Sequence, residues 1–151
     1  EVYGLKTACL RYFNVYGPRQ DPNSQYAAVI PRFITRILAG EAPVIYGDGG
    51  QTRDFAFVQD VVKSNILAME GPAEGVFNVA CGCRVSLNEL AAKIMRITKM
   101  SIAPVYEAAR PGDVRDSLAD ISRARRELGY EPEYDLEMGL QKTVEWFAKH
   151  R

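Results

Sequence analysis

The chain has 151 residues, of which 47% are hydrophobic and 25% are charged, and this is the composition of one soluble globular domain. Basic and acidic side chains number 19 each, so the formal net charge is zero and no overall field draws the chain toward nucleic acid or an anionic membrane. No apolar run is long enough to cross a bilayer. We therefore expect no nucleic-acid or membrane partner, and a local cluster must hold any bound anion.

The cysteine and histidine content predicts no metal site. Cys81-Gly82-Cys83 resembles half of a zinc site, but Cys9 is the only other cysteine and His150 the only histidine, whereas a closed zinc site takes about four ligands. Reduced thiols in the cytoplasm are the better interpretation, and His150 is expected at the surface.

Strand and helix patterns alternate along the chain, which predicts an α/β fold. Residues 1–6 contain neither a signal peptide nor a natural start, so we expect them to continue a preceding segment. Residues 7–15 are apolar and aromatic and end in a Tyr-Gly-Pro turn, which is typical of a strand leading into a loop. An apolar residue at every fourth position over 29–37 predicts a helix that ends at Gly40.

The middle of the chain continues the alternation. Residues 44–46 predict a strand that ends in a glycine turn, and residues 55–58 predict another. Asp60 is the expected N-cap of the next helix. The buried face of that helix is predicted to consist of Val62, Ile66 and Met69.

The last part of the chain has strand, helix and cap signals in turn. Residues 76–80 predict a buried strand, and the Ser-x-x-Glu sequence at 86–89 is a capping box that opens a helix. Residues 103–106 predict an edge strand because they contain a proline. Two helices are predicted to close the chain, at about 121–128 and after Asp135.

Three arginines lie beside turn residues in loops or at strand ends: Arg19, Arg53 and Arg110. Guanidinium groups suit bidentate contact with phosphate oxygens, and open α/β sheets bind ligands in loops beyond the strand ends. Two or three converging arginines would form a diphosphate site. The alternative is that each is a solvated turn arginine or part of a structural ion pair, and spacing alone does not decide.

The sequence contains no evident catalytic group. No Gly-x-Gly-x-x-Gly turn for a dinucleotide occurs. No tyrosine is followed by a lysine four residues later, since Tyr3 and Lys6 are one residue too close, and no nucleophilic serine elbow is present. The residues themselves predict a binding site without a catalyst.

Residues 10–20, Leu-Arg-Tyr-Phe-Asn-Val-Tyr-Gly-Pro-Arg-Gln, are similar to the segment that follows the catalytic Tyr-x-x-x-Lys helix in the extended short-chain dehydrogenases/reductases. The chain thus resembles the NAD-dependent epimerase/dehydratase family, and within it the UDP-glucose and UDP-N-acetylglucosamine 4-epimerases. Further matching segments follow in the family's order at 26–31, 47–49, 52–55, 77–80, 110–113 and 118–120.

The resemblance implies that residues 1–151 are a carboxyl-terminal nucleotide-sugar-binding region of α/β class, with a few strands of an incomplete Rossmann-type parallel sheet. Residues of about 1–17 and 76–80 would complete the sheet of an amino-terminal half. The cofactor fingerprint and the catalytic tyrosine, lysine and serine or threonine would precede Glu1, so no catalytic residue is assigned here. NAD would be bound mainly by that half, with Tyr12 and Phe13 against its nicotinamide end.

The resemblance also implies substrate contacts. Asn14 would hydrogen-bond the diphosphate, Arg53 and Arg110 would grip it, and Asp113 would accept a ribose hydroxyl. Ser117 stands where the family limits the sugar's 2-substituent, and a small residue there leaves room for an acetamido group. The implied nucleotide contacts are Ala28 and Val29 through their backbone and Val44 and Tyr46 beside the uracil.

The implied function of the complete protein is UDP-sugar 4-epimerisation by transient hydride transfer to NAD, in a cytoplasmic homodimer. It would interconvert UDP-glucose with UDP-galactose and UDP-N-acetylglucosamine with UDP-N-acetylgalactosamine, and this chain alone would bind UDP-sugar without activity. The alternatives are a nucleotide-sugar dehydratase or another epimerase on the same scaffold, or a non-catalytic nucleotide-sugar-binding module. Exposed strand edges and apolar faces are expected to make the chain self-associate.

Overall fold

The computed structural model describes residues 4–23 and 28–150. Residues 26 and 27 of the segment at 26–31 therefore lie outside the described residues. The elements, in chain order, are β1 (Ala8–Tyr12), β2 (Val15–Tyr16), α1 (Val29–Leu38), β3 (Val44–Tyr46), β4 (Thr52–Asp54), β5 (Ala56–Phe57), α2 (Val58–Glu70), β6 (Gly75–Val79), β7 (Arg84–Ser86), α3 (Leu87–Thr98), β8 (Val105–Glu107), a π-helical turn (Ala124–Leu128) and α4 (Leu136–Lys149).

The described strands associate in four pairs, three of them parallel. β1 pairs with β6 from Ala8 opposite Gly75 to Tyr12 opposite Val79. The pairs β2–β5 and β3–β8 are also parallel, whereas β4–β7 is antiparallel. Parallel partners need long crossover connections, and helices lie within those connections here. The predicted α/β class is confirmed.

Two hydrophobic clusters form the core. The larger cluster joins α1, α3 and α4 to the aromatic side chains of β2 and β5, including Tyr16 and Phe57. The smaller cluster joins β6 to the segment that leads into and through the π-helical turn, including Phe77 and Tyr130. In the described part of the chain, no helix combines the length and apolar character needed to cross a membrane.

Local capping signals correctly located two helix starts. The Ser86 side chain accepts a hydrogen bond from the Glu89 N–H, and the Glu89 carboxylate accepts one from the Ser86 N–H, which completes the predicted capping box. α4 starts directly after Asp135, as predicted, and the Asp135 carboxylate accepts the Met138 N–H there. Asp60, in contrast, is not a cap. α2 begins two residues earlier, at Val58, and the Asp60 carboxylate is buried in its first turn.

The predicted buried face of α2 is wrong. Val62, Ile66 and Met69 are 53%, 45% and 77% exposed, and the residues that α2 buries are instead Asp60, Val61 and Ser64. The physical reason is that α2 is apolar on two sides, and the described residues pack against only one of them. Asp60 is buried because its carboxylate accepts the backbone N–H groups of Glu133 and Tyr134, which lie just before α4.

Candidate functional site

A cleft of about 770 Å³ opens between α1, β3 and the segment at 110–113. It collects residues that are far apart in sequence, which spacing alone could not establish. Eight of the nine predicted substrate-binding residues line it: Asn14, Ala28, Val29, Val44, Tyr46, Arg53, Arg110 and Asp113.

The alternation of side chains along β4 places one charged residue on each side of the strand. Arg53 points into the cleft, where its side chain is only 15% exposed and forms an ion pair with Asp113. The Arg53 guanidinium also donates to the Thr52 carbonyl at 2.8 Å. Its position is therefore fixed by two partners.

Asp54, on the other side of β4, anchors the loops behind the cleft. Its fully buried carboxylate accepts the backbone N–H groups of Cys81, Gly82 and Ala119 at 2.9–3.2 Å. Burial raises the pKa of Asp54, although these hydrogen bonds oppose the rise. The Asp54 carbonyl accepts the side-chain N–H of Asn14 at 3.0 Å. Asp54 therefore connects β4, which carries Arg53, to Asn14, to the loop at 81–82 and to Ala119.

Arg110 lies over an aromatic ring of the cleft. Its guanidinium carbon is 3.8 Å from the centre of the Tyr46 ring, which is a cation–π distance. The segment after Arg110 turns back, with the Asp113 N–H donating to the Arg110 carbonyl at 3.3 Å. Beyond this turn, Asp116 forms an isolated parallel β-bridge with Thr52, which holds the end of the segment.

The glycine turn after β3 is packed against the start of α3. The Asp48 carboxylate accepts the Gly50 N–H and an Arg115 N–H, both at 2.8 Å, and the hydrogen bond from Arg115 is the largest cause of a lowered Asp48 pKa. Gly49 has a φ of +73°, and a Cβ at this position would lie 2.1 Å from the Asn88 side-chain oxygen. The turn therefore needs glycine both for its backbone and for the approach of Asn88.

Sequence reasoning missed several polar residues of the cleft, among them Arg32, Arg36 and Gln51. The first two follow Ala28 at four-residue intervals along α1, and this spacing, which places them on one helix face, could have identified them. Gln51 had no such signal. Its side chain is 94% buried, since the residue is only 6% exposed, and its side-chain N–H donates to the Tyr46 carbonyl at 2.6 Å.

Four predicted or candidate residues lie away from the cleft lining. Arg19 has a φ of +68° and borders a separate cavity beside Trp146. Ser117 follows the cleft segment, and its N–H donates to the Thr52 carbonyl. The last two of these residues are at the end of β1. Tyr12 is 46% exposed, and the next residue, Phe13, packs against the smaller core cluster.

The described residues offer no complete site for a metal or a dinucleotide. Among them, no group of three or more histidine, cysteine or acidic side chains could hold a metal ion. None of the four α-helices is preceded by a glycine-rich turn that could bind phosphates. Tyr12 and Phe13 can contact a flat ring through their aromatic side chains, but a dinucleotide would need its phosphate site elsewhere.

Parallel strand pairs with helical crossovers define an α/β protein, and arginines line the cleft beside them. The sequence model of the GDP-mannose 4,6 dehydratase family matches residues 1–143, and the chain belongs to this NAD-dependent epimerase/dehydratase family.

Three proteins that are similar to the chain carry the name 4-epimerase. A UDP-N-acetylglucosamine 4-epimerase from Methanobrevibacter ruminantium, solved with UDP-N-acetylmuramic acid, has a TM-score of 0.95 and 49% identity, over 99% of this chain and 48% of its own. The UDP-glucose 4-epimerase of Thermotoga maritima, solved with UDP-glucose, has a TM-score of 0.94 and 47% identity, over 98% and 48%. A putative UDP-glucose 4-epimerase from Methanocaldococcus jannaschii is 41% identical over 99% of this chain and 48% of its own length.

The chain spans about half the length of the curated relatives it matches. Those relatives also include other activities, namely a UDP-N-acetyl-alpha-D-glucosaminuronate decarboxylase from Bacillus cytotoxicus at 35% identity and a dTDP-glucose 4,6-dehydratase from Streptomyces griseus at 36%. The similarity therefore identifies the family, but it does not distinguish among the reactions of the relatives.

Proposed function

We propose that this chain is the substrate-binding region of an NAD-dependent UDP-sugar 4-epimerase, acting on UDP-glucose and UDP-galactose and on the corresponding UDP-N-acetylhexosamines. The observation that carries the proposal is the convergence of Arg53, Arg110 and Tyr46 on one cleft. Two guanidinium groups suit a diphosphate, and an aromatic ring suits a base. The similarity to epimerases solved with UDP-sugars supports the same ligand class.

The diphosphate would lie between the two arginines. Arg53 is the fixed member, because Asp113 and the Thr52 carbonyl hold its guanidinium at the base of the cleft. Asn14 would donate to the same phosphates, and Asp113 would accept a ribose hydroxyl. A bound diphosphate would replace part of the ion pair between Arg53 and Asp113 and so leave Asp113 free to turn toward the ribose.

The nucleotide would lie against the start of α1. This ten-residue helix has Ala28 as its N-cap, which makes no side-chain hydrogen bond, and no acidic residue in its first turn. The backbone N–H groups of Val29 and Ile30 would face the nucleotide, whereas Pro31 in the same turn has no N–H. Tyr46 and Val44 would flank the base across the cleft from Ala28 and Val29.

The rest of the activity would depend on a region outside residues 1–151. Residues of about 1–17 and 76–80 would complete a Rossmann sheet there, since β1 and β6 already form a parallel pair. NAD would supply reversible acceptance of a hydride from the sugar, and Tyr12 and Phe13 would contact its nicotinamide end. We expect the chain alone to bind UDP-sugar without turning it over, and the complete protein to be a cytoplasmic homodimer.

The second candidate is a dehydratase, or another nucleotide-sugar reaction on the same scaffold, and the names of two relatives favour it. It shares the proposed ligand class and differs in the catalytic groups. A non-catalytic nucleotide-sugar-binding module is the third reading. Turnover of UDP-glucose and UDP-N-acetylglucosamine by the longest polypeptide in which this sequence occurs separates the three.

Calorimetric titration of the chain with UDP-N-acetylglucosamine tests the binding site. We expect Arg53→Ala to weaken binding by about 1.5–3 kcal/mol, the range of a hydrogen bond to a charged group. The matched control is Arg125→Ala, because Arg125 also pairs with a carboxylate, that of Glu131, but does not line the cleft. The same titrations are made on the longest polypeptide containing the sequence, and binding by neither folded form would refute the proposal.

A further inference from the structure

The stack of Arg110 on Tyr46 covers the ring that the proposed function assigns to the base. The guanidinium carbon lies 3.8 Å from the ring centre, and both side chains line the cleft. A planar guanidinium at this distance occupies the ring face as another flat group would. A nucleobase and the Arg110 side chain therefore compete for the same face of Tyr46.

Tyr46 is the fixed member of this stack. It lies in β3, paired with Glu107 of β8, and its carbonyl accepts the buried Gln51 side chain at 2.6 Å. Arg110 is exposed and belongs to a segment with Gly112 at φ +78°, where a Cβ would have no neighbour within 4 Å. If a ligand takes the ring face, the group that moves is Arg110.

A phosphate bound in the cleft would give the Arg110 guanidinium an alternative partner to the Tyr46 ring. Arg53 already has a carboxylate partner in Asp113, so its charge is partly neutralised. The guanidinium of Arg110 has an aromatic ring as its neighbour instead, and a phosphate is the stronger partner for it. A diphosphate beside Arg53 would thus draw Arg110 away from Tyr46.

We propose that Arg110 is a specificity-determining residue that makes the binding of a base on Tyr46 conditional on a diphosphate. The inference rests on the proposed function. Without a ligand, Arg110 covers the ring; a nucleoside diphosphate binds the guanidinium through its phosphates and so uncovers the ring for its own base. A nucleoside without phosphate must displace Arg110 and offers it no new partner, so the cleft discriminates against it.

The test compares uridine with UDP on wild type and Arg110→Ala, by NMR chemical-shift titration for the weak ligand and calorimetry for the strong one. We expect Arg110→Ala to weaken UDP about tenfold or more, the effect of losing a charge-assisted contact. The same variant should bind uridine about two- to fivefold more tightly, because an exposed cation–π contact no longer has to be broken. Uridine is uncharged, so loss of a cationic residue does not weaken its attraction to the cleft.

Two control variants isolate the stack. Arg125→Ala removes a cation that lies outside the cleft and pairs with Glu131, and should leave uridine affinity unchanged. In a Tyr46→Leu background, Arg110→Ala should no longer tighten uridine, since no ring face is covered. Equal melting curves by circular dichroism verify that each variant is folded.

The outcomes separate this inference from the proposed function. If folded wild type binds no UDP, either as this chain or as the longest polypeptide containing it, both fail. If UDP binds and Arg110→Ala weakens it but uridine affinity stays the same, falls or stays undetectable, only the role of Arg110 at the ring is overturned.

Discussion

Three of the arginines that line the cleft have the same type of side chain but different partners. Arg53 pairs with Asp113, Arg36 pairs with Glu41 and donates to a backbone carbonyl, and Arg110 lies on the Tyr46 ring. A guanidinium held by a carboxylate is a positioned donor, whereas one held by a ring is easily displaced by an anion. At the scale of the residue, function therefore depends on the partner rather than on the residue type.

Ser117 gives a substrate prediction under the proposed function. Replacing this small residue with tyrosine should abolish turnover of UDP-N-acetylglucosamine but preserve that of UDP-glucose, because the ring would occupy the space of the acetamido group. The measurement is turnover of both sugars by the longest polypeptide containing the chain. Ser101→Tyr, at an exposed position, is the control, and undiminished acetamido turnover by Ser117→Tyr would refute the assignment.

The cysteines should differ in reactivity. Burial is the main cause that raises the pKa of Cys81 to about 11, with the nearby Cys83 and Asp54 adding to it, whereas Cys9 and Cys83 are exposed. Only the thiolate is nucleophilic, and a rise of this size lowers its fraction about a hundredfold. Iodoacetamide at neutral pH should therefore modify Cys81 last, as measured by peptide mass spectrometry, until denaturant makes the three thiols equivalent. Equal rates in the folded chain would contradict this prediction.

At the scale of the element, α4 illustrates how a residue that is poor for a helix can be required by packing. Gly139 lies inside α4, where glycine is unfavourable by about 1 kcal/mol relative to alanine. A Cβ at this position would lie 2.1 Å from the Tyr16 hydroxyl and 2.9 Å from the Phe57 ring. The helix thus approaches the β2–β5 pair more closely than alanine would allow.

Gly139→Ala should consequently destabilise the chain despite its better helix propensity. We expect the free energy of unfolding to fall by about 1–3 kcal/mol, the usual range for overpacking, as measured by urea denaturation. Tyr16→Phe should recover part of the loss when added to Gly139→Ala, because it removes the nearest atom. A gain in stability for Gly139→Ala alone would show that α4 can move away from β2 at little cost.

At the scale of the whole molecule, the described chain leaves several large apolar side chains exposed on neighbouring elements. α2 packs against β1, and β1 pairs with β6. The exposed fractions are 45–77% for Leu5, Val62, Ile66, Met69 and Val76. Apolar surface of this kind favours association.

We therefore expect the chain to self-associate in a concentration-dependent way. The double change Val62→Lys and Ile66→Lys should shift it toward the monomer, because lysine at both positions makes burial of this face of α2 costly. Sedimentation velocity measures the shift. Met138→Lys, at another exposed apolar position (46%) on α4, should leave association unchanged, and a strictly monomeric wild type would contradict the expectation.

Local signals in the sequence determined where most elements begin and end. The capping box at Ser86, the start of α4 after Asp135 and the helix that ends before Gly40 are as predicted, because each depends on contacts within a few residues. The ordered family segments also identified the family correctly. The short strands β2, β4 and β7 were not anticipated, since two or three residues give too little pattern for periodicity to reveal.

Only the tertiary structure decided which residues meet. It brings Arg53 and Arg110 to one cleft and places Arg19 beside another cavity, although all three lie beside turn residues in the sequence. It also turns Asp60 inward and Val62 outward on α2. The physical reason is the same in each case: strand pairing and buried hydrogen bonds join segments distant in sequence, and local periodicity contains no information about which of two apolar faces a neighbour will cover.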